Sequence, residues 1–215
     1  MIVFGFHTAG PACELAIVRD SEILHEESAA MLRGQDARLP GLTQELLANA
    51  GLTLEAIDRF AVTTGPGSFT GIRVGVAFAR GLALATGKPC LGITTLEAAL
   101  PAGQQGSAIV VLPAQKRPPD ITYWAQTFRS GAATDDACET SLQALTDRLT
   151  SHPHMVYGDA AALIAEMPEL TVHAAAPSAA RAAQLASALD PETRTARPTY
   201  ARAPDAALPK ARTET

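Results

Sequence analysis

Apolar positions along this chain change period several times, and each change marks an element. MIVFGFHT at the start is apolar almost throughout and ends in the turn AGPA; CELAIVRD and ILHEES follow, separated by the polar pair Ser21 and Glu22. Three short strands joined by tight turns are expected there. From about Arg38 to Ala50 the spacing becomes helical. Leu39, Leu42, Leu46 and Ala50 fall on one side, Gln44, Glu45 and Asn49 elsewhere, and Gly51 stops the helix. Pro40 is expected in its first turn, where a missing N–H does little harm. DRFAVTT reads as a buried strand, followed by the glycine-rich TTGPGSFTG and a helix from about Thr70 to Thr86 that ends at Gly87 and Pro89.

CLGIT then reads as a strand and TLEAAL as a short helix, and Pro101, Gly103 and Gly106 mark a lobe boundary. Beyond it SAIVVLP and ITYWAQTF read as strands, SLQALTDRL as a helix, HMVYG as a strand, and DAAALIAEM and AAPSAARAAQLASAL as helices. The order is β-rich, then αβα, then both again. It implies an α/β protein of two lobes, residues 1–100 and 101–197, with residues 198–215 too rich in proline for a helix and expected to run as an extended tail.

Composition narrows the function. No apolar run approaches the roughly eighteen residues of a membrane span, and no basic segment precedes an apolar core at the N-terminus, so a cytoplasmic protein is expected. Cys13, Cys90 and Cys138 are far apart and suggest buried thiols rather than disulfides or a metal site. A net charge of −5 argues against a broad nucleic-acid face, leaving any RNA contact local or indirect.

Two features carry chemistry. In GPGSFTG, Gly65, Gly67 and Gly71 permit close approach to the backbone while Ser68 and Thr70 offer hydroxyls, and a helix N-terminus favours an anion. The loop suits phosphate but lacks the Lys-Ser/Thr pair of a Walker motif, so a plain strand-to-helix turn fits it as well. The helix behind it is apolar around most of its circumference. Arg73 and Arg80 lie within about 20° of each other, and Ile72, Val74, Val76, Phe78, Leu82 and Leu84 occupy the rest with glycine and alanine. Either this is the central helix of a large core, or its outer side packs on a partner, with Gly75 and Gly81 allowing close approach and Phe78 as anchor.

The runs MIVFGFHTA, RGQDARLPGL, GPGSFTGIRVG and PTYARAPDA resemble the TsaB (YeaZ) family of bacterial tRNA-modification proteins across most of the chain. The resemblance implies a two-lobed actin-like ATPase (ASKHA, ribonuclease H-like) fold. It also implies a non-catalytic subunit that binds and activates TsaD, which transfers a threonylcarbamoyl group to the adenosine beside the anticodon of tRNA, in an assembly with the ATPase TsaE. Alone, such chains pair with themselves through the same face. Carried onto this sequence, Leu39, Leu42 and Leu46, with Val74, Phe78 and Leu82, match the partner-facing region. Gly65, Gly67, Ser68, Thr70 and Gly71 match the loop where an ATP or ADP phosphate could sit at the interface with TsaD. No intrinsic cofactor or metal is implied.

Three departures qualify this. ATP-handling relatives carry an aspartate at the end of the first strand, where this chain has His7, and a neutral imidazole does not hold hydrated Mg²⁺ as a carboxylate does. The HxxxH pair of TsaD is absent among His7, His25, His152, His154 and His173, and in PAQKRPPDITYW only Tyr123 matches the family. The competing readings are an ATPase or kinase-like enzyme, a plain nucleotide-binding module, and a peptidase built on Ser68 and His7, for which no orienting acid is evident.

Overall fold

The computed structural model describes residues 1–30, 35–115, 121–152 and 154–199. β1 (Ile2–His7), β2 (Ala12–Arg19) and β3 (Glu22–Ala30) form an antiparallel meander; α1 (Gln35–Asn49), β4 (Arg59–Thr63), α2 (Phe69–Thr86) and β5 (Cys90–Ile93) complete the first unit. Strand order is β3-β2-β1-β4-β5, with β4 parallel to β1 and β5 parallel to β4. β1 is apolar throughout because it is covered on both faces. Phe4 and Phe6, their rings stacked 4.6 Å apart, point with Phe60 and Val62 into the core under α1 and α2, while Val3 and Ala61 point the other way. β3 is the sheet edge and alternates outward, with Glu22, Glu26 and Glu27 discouraging edge-to-edge pairing.

The second unit repeats the plan. β6 (Ser107–Gln115), β7 (Thr122–Arg129), β8 (Ala132–Ala133), β9 (Cys138–Ser141), α3 (Leu142–Ser151), β10 (Met155–Gly158), α4 (Ala161–Glu166) and β11 (Val172–His173) give a sheet of order β11-β10-β6-β7-β8, with β9 also on β7. β6 is antiparallel to β7 and parallel to β10, as β1 is to β2 and β4. The duplicated order is the expected two-lobed, ribonuclease H-like architecture. α3 and α4 cover one face through Leu145, Leu149 and Leu163.

One boundary differs from expectation. The expected second lobe spans 101–197, but α5 (Ala179–Ala188) returns to the first sheet, where Ala182, Ala183 and Ala186 pack on Val3, Ala61 and Leu91. The reason is steric: β1 presents Gly5 there, a Cβ at that position would run into the Ala179 carbonyl, and an alanine face lets the helix come that close. Residues 194–196 also join the first lobe. Gly92 N–H donates to the Arg194 carbonyl, and Leu91 pairs with Thr195, extending the sheet beyond β5. Of the expected tail only Pro198 and Thr199 are described, Thr199 N–H donating to the Thr64 carbonyl at 2.7 Å; the rest lies outside the described residues.

Smaller differences have local causes. α1 begins at Gln35, so Pro40 lies inside the helix rather than in its first turn. TLEAAL is a single 3₁₀ turn, Glu97–Ala99, closed by a capping box in which Thr94 N–H donates to Glu97 and Glu97 N–H donates to Thr94 Oγ1. Cys138 is exposed rather than buried.

Candidate functional site

The glycine-rich loop runs from the end of β4 to the start of α2 and is held from three sides. Ser68 N–H donates to the Ala9 carbonyl of the β1–β2 turn at 2.8 Å, Thr95 N–H donates to the Gly65 carbonyl at 2.8 Å, and Thr199 lies against Gly65. Gly65 (φ 110°) and Gly67 (φ 151°) adopt conformations that favour glycine. A Cβ at Gly67 would stand 2.5 Å from the Ala9 carbonyl oxygen, and one at Gly65 2.8 Å from that of Thr199. These two glycines therefore serve backbone-to-backbone packing. Ser68 is the N-cap of α2, its Oγ accepting from Gly71 N–H at 3.2 Å, and Thr8 Oγ1 donates to the Gly71 carbonyl at 2.7 Å.

What remains outward is a narrower surface than the sequence implied. Gly65 and Gly71 are buried; Gly67, Ser68 and Thr70 are exposed at the start of α2. Thr95 Oγ1 is buried beside Gly65 without a hydrogen-bond partner among the described residues. Hydroxyls and a helix N-terminus fit a phosphate oxygen. They do not fit a phosphate-bound Mg²⁺, because the end of β1 supplies His7 instead of a carboxylate.

His7 is buried at 2% exposure, its Nδ1 3.0 Å from Thr63 Oγ1, while its Nε2 lies against the backbone of Gly10. Burial holds the imidazole down at about 4, so it is neutral at pH 7. Ser68 Oγ is engaged at the helix cap, and no hydrogen bond joins it to His7 among the described residues, so the structure does not assemble the nucleophile-and-base pair considered for a peptidase. His154 Nδ1 is 2.6 Å from Ser107 Oγ, Pro153 lies outside the described residues, and no group of three metal-binding side chains occurs among the described residues.

α2 has three sides that differ in burial. Gly71, Ile72, Gly75, Val76, Ala79 and Ala83 face the sheet, Gly75 so closely that a Cβ would run into Thr8 Oγ1. Val74, Phe78 and Leu82 are half-buried along the α1 side, Phe78 meeting the Phe6 ring edge-on at 5.9 Å. The outer side is open: Ala77, Arg80, Gly81 and Ala85 are exposed, with Phe69 at 55% and Leu84 at 86%. Arg73 lies over the Phe69 ring, 3.7 Å from its centre. By length and mean hydropathy (1.2 over 18 residues) α2 is apolar enough to cross a membrane, while one of its faces is packed on the sheet.

The partner-facing assignment needs correction on α1. Leu39 and Leu46 are fully buried and Leu42 nearly so, all three in the core with Phe4, Phe60 and Ile72. Their shared side closes the chain's own core, as their helical spacing alone implies. Phe78 is likewise anchored inward, and Leu84, apolar in sequence but outside the six partner-facing residues, is the most exposed large apolar side chain on α2.

Residues 30–204 match the family described as TsaD, tRNA N6-adenosine threonylcarbamoyltransferase. The chain belongs to this family. Within it the likeness is to the TsaB (YeaZ) group. The chain is 34% identical to the tRNA threonylcarbamoyladenosine biosynthesis protein TsaB of Escherichia coli over 131 residues, 60% of this chain and 56% of that one. It is 31% identical to TsaB of Haemophilus influenzae over 139 residues, 63% and 57% of the two chains. It thus spans little more than half the length of the curated relatives it matches. A solved Pseudomonas aeruginosa protein, described as similar to peptidase YEAZ, superimposes with a TM-score of 0.70 at 21% identity, covering 94% of this chain and 99% of that one, and shares the fold.

Proposed function

We propose that this chain is a non-catalytic subunit that binds and activates TsaD for threonylcarbamoyl transfer to the adenosine beside the anticodon of tRNA, in a cytoplasmic assembly with the ATPase TsaE. The observation that carries the proposal is the open outer side of α2: an 18-residue helix with one face packed on its own sheet and another, of small residues with Leu84 and Arg80, exposed among the described residues. Ala77 and Gly81 let a partner helix approach closely, and Leu84 and Phe69 are the side chains with most area left to bury. TsaB-named relatives support TsaD as the occupant; in its absence a second copy of this chain takes the same face.

An ATP or ADP phosphate at the exposed edge formed by Gly67, Ser68 and Thr70 would take its remaining contacts from TsaD, because among the described residues these three face outward. Neutral His7, in place of a metal-holding carboxylate, weighs against the ATPase reading. Co-expression with TsaD, followed by sizing and by transferase assays with and without this chain, tests the proposal. A stable complex with activity dependent on this chain is expected; full activity of TsaD alone, or micromolar ATP binding and turnover by the isolated chain, contradicts it.

A further inference from the structure

Residues 94–97, which follow β5, are where three parts of the chain meet. Thr95 N–H donates to the Gly65 carbonyl of the glycine-rich loop at 2.8 Å. Thr94 Oγ1 donates to Gln126 Oε1 on β7 at 3.1 Å, which brings in the second lobe. Glu97 Oε1 accepts from Arg194 at 2.9 Å, which brings in the segment 194–199 after α5.

Each tie leads further. Gln126 is 4% exposed and donates from Nε2 to the Asp135 carbonyl at 3.0 Å, while the Asp135 carboxylate accepts from Thr127 N–H and from Arg148. On the other side, Gly92 N–H donates to the Arg194 carbonyl, Ala196 is buried in the first lobe's core, and Thr199 N–H donates to the Thr64 carbonyl. Thr64 N–H in turn donates to the Ile93 carbonyl at 2.8 Å. Residues 64–65, the start of the loop, are thus clamped between 93–95 on one side and Thr199 on the other.

Glu97 joins these ties. Its side chain is 9% exposed and that of Arg194 33%, so the pair stands at the edge of solvent with the carboxylate inside. Glu97 Oε2 accepts from Thr94 N–H at 2.8 Å, and Glu97 N–H donates to Thr94 Oγ1 at 3.0 Å. The residue that takes Arg194 therefore also fixes the hydroxyl that holds Gln126. A carboxylate left with one partner at that burial draws in water, and water reaches it only if segment 194–199 or residues 94–97 move.

We propose that segment 194–199 is a strap, and that Glu97 and Arg194 are positioning residues through which it sets the pose of the glycine-rich loop and ties that pose to the second lobe. Neither side chain hydrogen-bonds the loop among the described residues. Arg194 acts through Glu97, and Glu97 through the backbone of Thr94 and Thr95. Gly67, Ser68 and Thr70 are the loop's exposed edge, so the strap governs how that edge is presented. This role is independent of which partner the chain takes, and its test needs none.

The test is amide hydrogen exchange of the full chain, followed by NMR at Ser68, Thr95 and Thr199 and compared with the amides of β1. Arg194→Ala should speed exchange at all three by about tenfold or more while β1 keeps its wild-type rate. Arg194→Lys, which retains the cation, should return most of the protection. Thr94→Val removes the hydroxyl but not the N–H and should act on the same amides. The double variant should exchange no faster than the faster single one, because both changes break one linked network. Unchanged rates in Arg194→Ala overturn the proposal, as does a rise confined to Thr199, which would reduce the strap to a fraying end. An equal rise in β1 overturns it too, making the pair a support of the whole fold. Rate increases that multiply in the double variant also overturn it, since strap and second lobe would then hold the loop independently.

Discussion

His7 gives a residue-scale consequence that solution measurements can read. Its imidazole titrates near 6.5 when unfolded and near 4 when folded, so below pH 6.5 the unfolded chain takes up a proton that the native one refuses. The stabilisation is complete above pH 6.5 and is lost as pH falls toward 4, a difference of about 3 kcal/mol. Urea midpoints across that range should fall more for wild type than for His7→Gln; parallel curves would mean that His7 is not the group responsible. At the loop, Thr70 is exposed in the first turn of α2, where a carboxylate favours the helix. Thr70→Glu is therefore expected to leave the melting temperature unchanged or slightly raised while lowering the nucleotide retained by the complex with TsaD. Unchanged nucleotide content would remove this loop from the phosphate site. The sequence shows that the loop is unusual but not what its glycines touch: the nearness of Ala9 and Thr199 comes from chain segments far away in sequence.

Whole elements were far more legible than their neighbours. Periodicity places β1 to β7, α1 to α3, β10 and α5 close to where they lie, because each is long or apolar enough to show a period. β8 and β11, two residues each, are too short to carry one, and β9 is too polar. Period also reveals which side of a helix is apolar without saying what covers it. For α1 the leucine side meets the chain's own core, and for α5 the alanine side meets the first sheet rather than the second. Glycine substitutions separate these contacts. Gly5→Ala should cost about 2 kcal/mol or more, because the new methyl collides with the α5 backbone. Gly81→Ala, with nothing within 4 Å, should stabilise the isolated chain by about 0.5 to 1 kcal/mol through helix propensity. Chemical denaturation of the dilute monomer compares the two, and a destabilised Gly81→Ala would mean that this face of α2 is already packed within the single chain.

At the scale of the molecule, two lobes of the same strand order share one chain, and the segment after α5 ties the first lobe's outer edge to its glycine-rich loop. That arrangement leaves α2 with its inner face filled and its outer face uncovered among the described residues, with the glycine-rich loop at its N-terminal end. The duplicated plan was readable from the order of elements; the sharing of α5 and residues 194–196 with the first lobe was not, since it depends on which sheet offers a glycine for close approach. The most direct measurement is the affinity of TsaD from the same cell for wild type and for Leu84→Asp, with melting temperatures recorded in parallel. Leu84 is 86% exposed in a single chain, so the substitution should leave the monomer's stability within about 0.5 kcal/mol. Affinity should nonetheless drop by about 100-fold or more as an unpaired charge is forced into the interface. Equal affinity for the two chains would place TsaD elsewhere and leave the uncovered face of α2 without the role assigned to it.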